Sequence, residues 1–170
     1  MITPAYAQLM ARYNKWQNES LYGAASDLGD EERRRERGAF FGSIHKTLNH
    51  ILWGDEAWMS RLAGHPAPPD LGLGKSVNYY DDWEALRAAR AKTDAAILGW
   101  ADAAAPEEFE GDFTWRSGVL KRELTRPRWL LFTHMFNHQT HHRGQVHAML
   151  TAAGARPDDT DIPFMPGLEG

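Results

Sequence analysis

The chain has 170 residues, a formal net charge of −4 and no cysteine, and 42% of it is hydrophobic. That length and apolar content suit a single domain, residues 1–170, with its own core. The acidic balance offers no basic face to nucleic acid, the lack of cysteine excludes disulfides and thiolate chemistry from the chain's own side chains, and no apolar run approaches the ~20 residues of a membrane helix.

The N-terminal "MITPAYAQLMARYNKW" lacks a basic stretch leading into an apolar run, so no signal peptide is expected, and a cytoplasmic location is the expectation. Helical periodicity begins at about Pro4 and runs to Leu28, with Tyr6, Leu9, Met10, Tyr13, Trp16, Leu21, Ala24 and Leu28 forming an apolar stripe. The mixed-charge run "EERRRER", residues 31–37, reads as a solvated turn or helix start. A second helix is predicted from about Ala39 to Ala63, with Phe41, Ile44, Leu48, Ile51, Trp58 and Leu62 on one face, and Gly64 and Pro66 ending it.

The following "GHPAPPDLGLGKSVNY" is rich in Pro and Gly and long for a link between adjacent antiparallel helices. A third helix opens at "DDWEALRAAR", with Asp81 as cap and Glu84 as capping-box partner, and continues to Trp100. The residues of "FTWRSGVLKREL" suit a short hairpin turning near Ser117-Gly118. The fourth helix opens at "TRPRWLL", with Thr125 as cap and Pro127 in the first turn, and stops near Ala153 before Gly154. The tail is not helical, but Ile162, Phe164 and Met165 would gain by docking. The fold class is therefore all-α: a four-helix bundle with a long crossover loop and a short hairpin before the last helix.

The segment "HMFNHQTHHRGQVHAML", residues 134–150, carries five histidines. A helix turns roughly 100° per residue, so His134, His138 and His142 share one narrow face. His141 lies beside it, and His147 lies on the opposite face from His138. Imidazoles four apart on one face are a common way for a helix to hold a divalent metal such as zinc or nickel. A third ligand must come from elsewhere. His45 and His50 flank the apolar stripe of the second helix, Asp55 and Glu56 follow, and His65 lies in the loop; periodicity does not choose among them. Asp55 falls near the centre of an apolar stripe, so it needs a buried partner, for which Asn14 or Trp16 of the first helix is the expectation.

"SIHKTLNHILWGDEAWMSRL", followed much later by "HMFNHQTHHRGQVHAML", resembles the DinB family of small bacterial proteins, which is distinct from the DNA polymerase sharing that name. "YNKWQNESLYGAASDL" resembles the family's first helix, and "NHQTHHRGQ" is the specific part. The resemblance covers nearly the whole chain. It implies a four-helix bundle, a homodimer, and a divalent metal, zinc or nickel, held by His50, His138 and His142. On the same reading His134 and His141 are supporting or surface groups, Gly144 permits close helix approach, and Arg143 and Gln145 are mainly structural.

Three imidazoles leave coordination positions open. The resemblance thus implies a metal-dependent hydrolase acting on a small-molecule substrate through metal-bound water. The competing expectations are a thiol-dependent S-transferase of the same fold, and a non-catalytic, stress-related metal-binding protein. The catalytic residues are not named by the sequence.

Overall fold

The computed structural model describes residues 2–69 and 72–168. Four long helices form the bundle: α1 (Pro4–Ser26), α3 (Ile44–Ala63), α4 (Trp83–Ala103) and α5 (Arg128–Ala152), with a short α2 (Asp30–Arg34) between the first two. Side-chain oxygens cap three of them. Thr3 accepts from Tyr6 N, Ser43 from Lys46 N, and Asp82 from Ala85 N, each satisfying an amide that the first turn leaves unpaired.

Two starts differ from expectation. The α3 helix begins at Ile44 rather than near Ala39, because residues 39–42 form a tight turn in which Gly42 N donates to Ala39 O at 2.8 Å. Gly42 sits at φ +82°, a conformation that a helix cannot use. The α4 helix is capped by Asp82 and not Asp81, whose carboxylate pairs instead with Arg34 at 2.8 Å. The expected hairpin is present: β1 (Asp112–Arg116) pairs antiparallel with β2 (Glu123–Pro127). It takes in Thr125, expected as a helix cap, whose hydroxyl instead meets that of Thr114 across the strands at 2.7 Å.

The core falls into two apolar clusters, one at each end of the bundle. One joins Leu21 and Ala25 of α1, Leu48 and Ile51 of α3, Leu86 of α4, and Val146 and Leu150 of α5. The other joins Ala7 and Ala11, Met59 and Leu62, Ile97 and Ala101, and Phe132 and Phe136. Reading the clusters along each helix gives the directions. The α1 and α5 helices run one way and α3 and α4 the other. Consecutive α3 and α4 are parallel, so residues 64–82 must travel back along the bundle, which is why that connection is long. It contains a 3-10 turn, Leu73–Asn78, packed on α3. The tail docks through Met165, which is buried, while Phe164 stays exposed; Tyr13 Oη donates to Thr160 O at 2.8 Å.

Candidate metal centre

On the seam between α3 and α5 three imidazoles meet. His50 projects from the middle of α3, and His138 and His142 from successive turns of α5. One ring nitrogen from each lies within 4.8 Å of the other two, and Nε2 of His50 stands 3.0 Å from Nε2 of His138. A tetrahedral ion with bonds of about 2.0–2.1 Å spaces its donors roughly 3.3 Å apart, so the cluster has the right dimensions for one.

The far edges of two rings are braced. His142 Nδ1–H donates to Gln145 Oε1 at 2.8 Å, and His50 Nδ1 pairs with Ser76 Oγ at 2.9 Å. Such bonds set the tautomer and direct the other nitrogen inward. Ser76 belongs to the 3-10 turn of the crossover, so the long connection reaches the site. The ring of His138 lies against Gly54, one turn beyond His50. A Cβ at Gly54 would stand 3.1 Å from His138 Cε1. Phe41 covers one flank, its ring centroid 4.1 Å from that of His50 and 5.3 Å from that of His142.

Burial is the main influence on these rings, because it penalises the charged form. Burial, with the neighbouring imidazoles adding to it, holds His138 down to about 3. Burial and then His142 hold His50 down to about 4. Burial also lowers His142, against the pull of its bond to Gln145. All three are thus neutral near neutral pH, with ring nitrogens converging, and this donor set fits a divalent cation.

The remaining histidines lie elsewhere. His45 Nε2 bonds to Tyr80 O at 2.9 Å. His134 is exposed, with its ring 5.2 Å from Trp58 and 5.7 Å from His138. His141 is exposed and receives Gln145 Nε2–H at 3.4 Å. His147 lines a groove with Tyr13 and Gln17, and His65 lines a cavity with Glu56 and Tyr79. Nothing approaches Gly144 closely, so the close helix approach expected there is not found; the tight contact is made at Gly54, by the His138 ring.

Asp55 does not join the histidines. Its Oδ2 accepts from Arg90 Nη1 at 2.6 Å, both groups being fully buried, so the expected partner on α1 is replaced by one on α4. Arg90 reaches on to Asp94 at 2.8 Å. Asp94 accepts from Asn14 and Asn18, at 3.1 and 2.9 Å, and Asn14 accepts from Arg143. Burial raises Asp55 and Asp94, and Arg90 opposes it in both. Two carboxylates and two guanidiniums therefore balance in a polar layer that separates the two apolar clusters.

The DinB family model matches residues 1–169. The chain belongs to the DinB family. Protein DinB of Bacillus subtilis (strain 168) is 24% identical over 163 residues, 92% of this chain and 91% of that protein. In this DinB-family chain no helix among the described residues is long and apolar enough to cross a membrane. Four supporting residues were not assigned these roles from sequence. Gln145 and Gly54 carried a signal, lying three and four residues after His142 and His50, on the faces those histidines define. Ser76 and Phe41 carried none, since only the folding of two loops brings them to the rings.

Proposed function

We propose that the chain is a divalent-metal-dependent enzyme, a hydrolase acting on a small-molecule substrate, with His50, His138 and His142 holding zinc or nickel. One observation carries this reading: three neutral imidazoles converge, and among the described residues no carboxylate or fourth histidine joins their group. Zinc and nickel suit imidazole donors, and three protein ligands with an open position are common in catalytic zinc sites. When bound, such an ion lowers the pKa of water or polarises a carbonyl.

The chain's own residues do the rest. Gln145 and Ser76 fix the orientation of two rings, and Phe41 shields one flank from solvent. Asp55 is committed to Arg90 and takes no part at the reacting centre. The reading includes a homodimer, for which the exposed Val119 and Leu120 between the hairpin strands offer apolar surface; sedimentation at several concentrations tests it.

The central experiment loads the protein with Co²⁺ and adds acetohydroxamate. A changed visible spectrum is expected, because an exogenous ligand enters the coordination sphere. Ester hydrolysis that disappears with chelator and returns with metal completes the case. A spectrum that no added ligand moves would overturn the open-site reading in favour of a structural metal.

A further inference from the structure

We infer that the cavity beside Phe41 receives the non-reacting part of the substrate, and that this part carries an anionic group recognised by Lys46. The inference rests on the metal-enzyme reading above and names the substrate class for it. The cavity is an open depression of about 460 Å³ lined by Phe40, Phe41 and Val77, with Glu36 and Lys46 as its charged residues. That is enough space for part of a small metabolite. Phe41 is common to the cavity and the histidine cluster, since its ring packs on His50 and His142. Lys46 lies four residues before His50 on α3, so both project from one face, about 6 Å apart along the axis. The ammonium-bearing side chain therefore stands one helical turn from a ring of the cluster.

The charges in the cavity are not equivalent. Glu36 is occupied: its Oε1 accepts from Gly38 N at 3.0 Å. Its carboxylate also packs over Gly42, where a Cβ would stand 2.3 Å from Oε2. It braces the turn that presents Phe40 and Phe41. Arg35 and Arg37 nearby are paired with Glu32 at 2.6 and 2.7 Å. The Lys46 side chain has no hydrogen bond or ion pair among the described residues. Lys46 is thus the charged residue of the lining whose side chain no contact holds in place, while Glu36 keeps its negative charge against the turn. Phe40, 78% exposed and edge-on to Phe41 at 4.8 Å, gives the entering chain an apolar surface.

The test uses Co²⁺-loaded protein and two hydroxamates of nearly equal shape: succinic acid monohydroxamate, with an anionic tail, and its terminal amide. Affinities are read from the visible spectrum and by calorimetry. At low salt the anionic probe is expected to bind roughly five-fold more tightly, the scale of a partly exposed ion pair, and the preference shrinks as salt screens it. In Lys46→Gln the preference vanishes while the amide binds as before, and in Lys46→Glu it reverses. Lys46 is exposed, so neither change threatens the fold. Phe41→Ala weakens both probes. Equal affinities in the unaltered protein, or a preference that survives Lys46→Gln, would overturn the inference and leave the open metal site standing. A cobalt spectrum that responds to neither probe would overturn both.

Discussion

Two polar groups of residues occupy the interior of this bundle, and they are built from neighbouring positions. Gly54 borders the histidine cluster and Asp55 enters the charged layer. His138 faces the cluster while Gln139 is fully buried in the bundle, and His142 faces the cluster while Arg143 joins the layer. A step of roughly 100° along a helix separates them. In the layer opposite charges meet: Arg90 stands between Asp55 and Asp94, while Arg143 donates to Asn14. In the cluster, three like groups face one another, all pushed towards neutrality by burial. Polar residues that satisfy each other hold a bundle together, whereas polar residues that converge without complement are arranged for a ligand from outside.

Substitution should separate the two groups. Replacing His50, His138 or His142 singly with Ala is expected to reduce bound metal from about one ion per chain to near none, by elemental analysis after dialysis. The metal-free forms should stay folded by circular dichroism. An undiminished metal content in any of the three would break the distinction between cluster and layer.

Arg90→Met is expected to act the other way. It strands two buried carboxylates, and removing one partner of such a network costs about 3–5 kcal/mol, read from urea unfolding. Replacing Asp55 and Asp94 with Leu in the same chain should recover part of that loss, because the stranded carboxylates are gone while the buried Arg143 is left without their opposing charge. Metal content per folded chain should be unchanged in the recovered protein.

Gly54→Ala sharpens the boundary between the two. Its Cβ would press on His138 at 3.1 Å, so metal affinity should fall about ten-fold, the scale for disturbed support of a ligand. Ala also favours helix over Gly by roughly 0.5–1 kcal/mol, so the metal-free protein should unfold no earlier. A stability loss with unchanged affinity would show that the Gly54 position serves packing alone.

The smallest effect concerns pH. An ordinary imidazole near ~6.5 would lose metal to protons across the neutral range. His50 and His138, held down to about 4 and about 3, resist protonation, so protons should displace metal from these two rings only as pH falls towards about 4, well below the ordinary imidazole range. For the metal-free protein the sign follows from the same shifts. The unfolded chain takes up protons first, so stability drops as pH falls below about 6.5 and the loss ends near the folded values. An affinity that already declines from pH 8 to 7 would contradict the burial of the cluster.

Much of the bundle was legible before folding. Apolar recurrence marked the four long helices, Gly64 and Gly154 marked two ends, and the β-type residues on either side of Ser117-Gly118 marked the hairpin. The first helix was read less well. Its large residues Leu9, Met10 and Trp16 are only half-buried, while Ala7, Ala11, Asn14 and Asn18 fill the interior. An amide counts as polar in a periodicity, yet it belongs inside when Asp94 and Arg143 wait opposite.

The sequence by itself determined which residues share a helix face, since a fixed turn per residue is a local property. It thus placed His138 and His142 together, and it told their face apart from that of His147. It also required Asp55 to find a buried partner, because an unanswered charge in an apolar stripe is untenable. What lies opposite each face is set by helix order and direction. Only the tertiary structure decided that α4 runs parallel to α3 and brings Arg90 to Asp55, that the returning crossover sets Ser76 against His50, and that Gly54 rather than Gly144 has a close neighbour, the His138 ring. Those contacts join residues that no periodicity relates, so they exist only once the chain has folded.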